Sequence, residues 1–195
     1  MNNPADSDQN QLPPITSLHM AWTEIEKALQ ARLYYLALIS TLSLIDICSA
    51  LEAENGETDK IKYMAWYDKH LGPHYKWLSS QDCYGLRCGL IHQGVMSHGV
   101  KNSKGNPLPP SQWKRIGFLL TDGTGGQMRE IAAGDVYLTG LSEFCRDVLK
   151  RVMEWSVSAR QNPIVHKNAD NLLHLYPTGR GVGTTFVEAG IPVLA

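Results

Sequence analysis

An arginine and a histidine five residues apart carry the clearest chemical potential in this chain. They lie in the string Tyr84-Gly-Leu-Arg-Cys-Gly-Leu-Ile-His-Gln-Gly94. Arg87 sits among Leu86, Leu90 and Ile91. Its guanidinium must find an anion, a carboxylate or water, because an unpaired buried charge is prohibitive. His92 stands just ahead of Gly94, and an imidazole is the side chain that most readily moves protons near neutrality. A guanidinium beside it can hold a phosphate through paired hydrogen bonds and stabilise charge that develops during reaction. Five steps of about 100° put the two side chains about 140° apart around a regular helix. They converge on one ligand only if the helix loosens at its end or if two chains meet there. A second arrangement is open on spacing alone: Arg87 pairs with an acid on a neighbouring helix, and His92 caps the helix end, where the dipole favours a cation.

Around this pair stand the residues that could complete a site. Asp46, in the apolar string Leu-Ser-Leu-Ile-Asp-Ile-Cys, is the acid placed to orient Arg87. Tyr84 lies three residues before Arg87 on the same helical face, either as a substrate contact or as a core tyrosine. Gln93 can line the same cleft, and His98, Lys101 and Lys104 follow on a loop where they can meet phosphates or simply be solvated. No metal is expected, since His70 and His74 have ligand spacing but Gly72-Pro73 interrupts it. No cofactor is expected either. The string Gly179–Thr185 lacks the lysine of a phosphate-binding loop, and no nucleophile elbow or dinucleotide fingerprint is present.

The elements that must hold these residues are mostly helical. Residues 1–15 read as a disordered lead-in, with Thr16 or Ser17 able to cap the first helix. Apolar residues from Leu18 to Leu44 recur every three to five positions up to Asn55-Gly56, as one long helix or as two with a break near Ala31–Tyr34. Asp59 can cap a helix ending near Gly72-Pro73, with Ile61, Met64, Ala65 and Trp66 inward. Ser79 with Asp82 caps the helix that carries Arg87 and His92. After a loop at 97–111, a small β-hairpin insertion is expected around 114–131, turning at Asp122–Gly126. Leu141, Phe144, Cys145, Val148, Leu149, Val152 and Trp155 then mark the clearest amphipathic helix in the chain. From 161 to 195 a Gly- and Pro-containing tail reads as irregular.

Composition sets the class. In 195 residues, 43% hydrophobic and 19% charged content fits one globular domain, expected at 16–160, rather than disorder. No apolar run reads as long and pure enough to span a bilayer. The polar, acidic start lacks the pattern of a secretory signal. Four cysteines without a CxxC pair fit a reduced, cytoplasmic setting. The net charge of −1 argues against bulk polyanion binding, yet from Cys83 to Thr121 there are five basic residues and no acid. That distribution suits a small anionic ligand such as a few phosphates.

The string Leu-Arg-Cys-Gly-Leu-Ile-His-Gln-Gly, on a capped helix in an all-α helical bundle, resembles the HEPN superfamily, whose hallmark is Arg, four to six residues, then His. The resemblance covers residues 16–160 and is specific only at Arg87–His92. It implies a metal-independent endoribonuclease of toxin type, acting as a homodimer on RNA, with an antitoxin-like protein as a further partner. By the same resemblance His92 would move the proton of the ribose 2′-hydroxyl or of the leaving oxygen, and Arg87 would hold the scissile phosphate. Active members often place Asn, Asp or His directly after the arginine; here Cys88 stands there. Other members bind nucleotides, RNA or proteins without cleaving, and that alternative stays open.

Overall fold

The structure, a computed structural model, describes residues 15–96, 115–120, 131–133 and 136–173, and four two-residue strands between 175 and 194. Helix α2 (Tyr34–Glu52) is its centre. Apolar residues fall on every side of α2, and a helix that is apolar all round is stable only when other elements surround it. It touches α1 (Thr16–Gln30), α3 (Lys60–His70), α4 (Ser80–Gln93), α5 (Leu141–Ala159) and α6 (Pro163–Ala169). Leu42, Leu44, Ile45, Cys48 and Leu51 are at most 1% exposed. The chain is therefore predominantly α-helical.

Two helices, not one, fill the first apolar stretch. The break falls at Ala31–Leu33, where Arg32 takes the left-handed conformation with φ 59°. The Arg32 N–H donates to Leu29 O and the Leu33 N–H to Ala28 O, so the last carbonyls of α1 are satisfied as it turns into α2. Neither Thr16 nor Ser17 caps α1, contrary to expectation. Ile15 occupies the cap position without a side-chain bond, and the Ser17 hydroxyl donates to Leu173 O across the fold. Asp59 does cap α3, accepting from the Lys62 N–H. The inward set of α3 needs correction: Tyr63, Trp66 and Tyr67 are buried, while Ile61 is 79% exposed. The aromatic rings bury far more area than the isoleucine, and only one face can point inward.

The small sheet also differs from the expected hairpin at 114–131. Strand β1 (Arg115–Leu119) does not pair with β2 (Ile131–Ala133). Both flank β3 (Val136–Gly140), β1 in parallel and β2 antiparallel. β2 and β3 are separated by only two residues, the spacing of the tightest hairpins. Val136-Tyr137-Leu138-Thr139 is the best strand-forming run of the three and takes the middle position. Ile116 and Phe118, two apart and so on one face, turn toward α5, with Phe118 ring-to-ring against Phe144 at 5.3 Å. The loop at 97–111 and the turn at 122–126 lie outside the described residues, as does the lead-in before Ile15.

Three further expectations meet the structure. All seven apolar residues expected inside α5 are buried. The segment after 160, read as irregular, begins with α6, capped by Asn162. On α6, Asn168 donates from Nδ2 to Leu51 O at 3.0 Å and Ala53 O at 2.7 Å, closing the C-terminus of α2. Finally, α2 is by length and composition apolar enough to cross a membrane, with a mean hydropathy of 1.6 over the span, which overturns the reading that no such run exists. In this fold half of that span is buried against other helices, and its mid-helix acid, Asp46, is paired. Both are features of a core helix.

Candidate functional site

The site lies on the seam between α2 and α4. Ser79 opens α4 by accepting from the Asp82 N–H and donating to the Asp82 carboxylate. Gly94 closes it in the left-handed conformation, φ 66°. The last turn is wider than a regular α-turn: the Val95 N–H reaches back six residues to Gly89 O at 3.1 Å. Two bonds tie this end of the molecule to α2. Arg87 Nε donates to Asp46 Oδ2 at 2.7 Å, and the Tyr35 hydroxyl donates to Leu90 O at 3.1 Å.

Arg87 and His92 meet within one chain. Arg87 Nη1 lies 3.3 Å from His92 Nε2 and 3.9 Å from Cys88 Sγ. Cys88 occupies the angle between them, and the guanidinium crosses over its thiol to reach the imidazole. The helical separation of about 140° is spanned by the length of the arginine side chain. Arginine has only donors, so a hydrogen bond here requires Nε2 to accept, which places the imidazole proton on Nδ1. In that tautomer the acceptor nitrogen of His92 lies beside a fixed cation. Among the described residues nothing bonds Arg87 Nη2, so that edge of the guanidinium remains for an anion.

Asp46 and Arg87 form an ion pair with side chains 13% and 21% exposed. The two partners carry opposite messages about it. Burial is the largest influence on Asp46 and, despite the bond to Arg87, holds its carboxyl above the usual range. Burial is also the largest single influence on Arg87, but there the bond and charge of Asp46 win and its pKa is raised. The bond length decides in favour of an ionised pair: 2.7 Å is the distance of a charge-assisted bond.

Tyr84 is half-buried on the same stripe of α4. Its ring packs edge-on against Tyr63 at 5.2 Å, with Lys60 Nζ 5.9 Å from its centroid. Its pKa is raised, first by burial and then by the neighbouring Cys88 side chain. Gln93 is exposed at the end of α4, and no contact among the described residues ties it to the pair. His98, Lys101 and Lys104 lie outside the described residues. Among the described residues no group of three His, Cys, Asp or Glu could hold a metal ion.

Sequence reasoning missed Tyr35. Its signal was spacing: eleven residues before Asp46 amounts to three turns of α2 plus about 20°, which puts both on one face. With that geometry in view, comparison of the chain with family models, with curated proteins and with solved structures gives no match in any of the three.

Proposed function

We propose that Arg87 and His92 form an HEPN-like endoribonuclease site that works without a metal ion, in a cytoplasmic homodimer of toxin type. The 3.3 Å contact between guanidinium and imidazole, made inside one chain, is the observation that carries this reading. When a phosphate binds, Arg87 Nη1 turns from His92 Nε2 to its oxygens; the Nε2 lone pair then accepts the proton of a ribose 2′-hydroxyl, and the freed oxygen attacks phosphorus. The bond to the 5′-oxygen breaks, and that oxygen takes a proton from the imidazolium. A 2′,3′-cyclic phosphate remains on one product. Arg87 binds the non-bridging oxygens and offsets their growing charge, and Asp46 orients it from behind. The exposed apolar residues Ile91, Val95 and Met96, next to His92, suit a second copy or an antitoxin-like protein.

A second reading is favoured by Cys88: a thiol stands where active members often carry a polar residue, so the same site would bind RNA or a nucleotide without cleaving it. Incubating labelled RNA with the protein in EDTA separates the two. Wild type is expected to produce cyclic phosphate ends, and His92→Ala and Arg87→Ala are expected to slow cleavage roughly a hundredfold or more. Equal cleavage by wild type and variants would end the nuclease reading. Arg87-dependent RNA retention without cleavage would move the protein to the second.

A further inference from the structure

We infer that Tyr35 is a stacking platform for a nucleobase, which makes the ligand of this site a base-bearing single strand rather than a bare phosphate. The inference rests on the reading of Arg87 and His92 as a phosphate site. Tyr35 stands in the first turn of α2, and its side chain is 54% exposed. A large ring open to water usually gains nothing from being held still. Here the hydroxyl is anchored, donating to Leu90 O, a carbonyl that also accepts from the Gly94 N–H. The ring is therefore fixed at its polar end.

The anchor point decides what the ring faces. Leu90 is three residues after Arg87 and two before His92, so all three lie within about one and a half turns of α4. The seam that carries the Asp46–Arg87 pair also carries the Tyr35–Leu90 bond. A strand held by a phosphate on Arg87 meets the same seam that carries this ring. Aromatic side chains beside a cation are how proteins hold single-stranded nucleic acid, and each stacked base contributes roughly five- to a hundredfold in affinity. A phenol fixed by its hydroxyl loses little conformational freedom on stacking. The start of α2 owes its direction to the left-handed Arg32, two residues earlier.

The test uses a short 2′-O-methyl oligoribonucleotide, which cannot be cleaved by 2′-hydroxyl attack, and an abasic strand with the same number of phosphates. Binding is measured by fluorescence anisotropy, and oligomeric state by sedimentation. Wild type is expected to prefer the base-bearing strand. Tyr35→Ala should weaken that strand roughly tenfold, leave the abasic strand unchanged and so abolish the preference. Tyr35→Phe, which loses the anchor but keeps the ring, should retain most of it. Arg87→Ala should weaken both strands. If Arg87→Ala weakens both while Tyr35→Ala changes neither, stacking is refuted and the phosphate site stands. If Arg87→Ala changes neither, the phosphate site itself is refuted. If Tyr35→Ala shifts the oligomeric state at unchanged oligonucleotide affinity, the ring belongs to a protein interface and the inference is overturned.

Discussion

A carboxylate in the middle of an apolar helix gives up hydration that one arginine does not fully return, and Asp46 shows the result in its raised pKa. The sign of the consequence is set by linkage. The native carboxyl holds its proton to higher pH than the unfolded one. Between the ordinary aspartate value of 3.8 and the raised native value, the folded state binds more protons. The stability tied to this group therefore falls as pH rises through that window and is recovered on acidification. Urea unfolding at a series of pH values should show wild type losing less stability than Asp46→Asn as pH is lowered from neutrality. Parallel curves would mean that Asp46 titrates alike in both states. Ionising this carboxyl inside the fold costs stability at neutral pH, and the charge is best explained by its hold on Arg87.

Helix α4 delivers the site only because it ends where it does. Gly94 is left-handed, and a β-carbon there would meet nothing within 4 Å, so the demand is purely conformational. Gly94→Ala should lower stability by about 1 kcal/mol in urea unfolding, the cost of forcing an L side chain into that region. An unchanged midpoint would refute the cap. This end was legible in the sequence, as were the Ser79 start, the Asp59 cap and the buried stripe of α5, because each depends on residues within one or two turns. The sheet was not. Which strand sits in the middle depends on pairing between segments far apart, and alternation of side chains says nothing about partners. The inward face of α3 was misread because its tyrosines were not counted as core residues. The Asp46–Arg87 contact was anticipated, with Asp46 as the acid that could orient Arg87. The bridging of Arg87 over Cys88 to His92 was not, since it depends on the reach of a side chain rather than on the helical angle.

At the scale of the molecule the weight falls on α2, which every other described helix touches and which α6 closes from the far end of the fold. Asn168→Ala removes the donor that serves the last carbonyls of α2 and should cost about 2 kcal/mol in urea unfolding. Asn168→Asp, the same shape with no donor, should do at least as badly; if it unfolds like wild type, the amide bonds are not what closes the helix. That closure has a meaning in time. Chains leave the ribosome from the N-terminal end, so the Asp46 helix is synthesised more than a hundred residues before the asparagine that finishes it. Ser17 waits still longer, for Leu173. Contacts of such long sequence separation form late. A nascent chain already displaying Arg87 and His92 therefore lacks a completed helix behind them until Asn168 has been made.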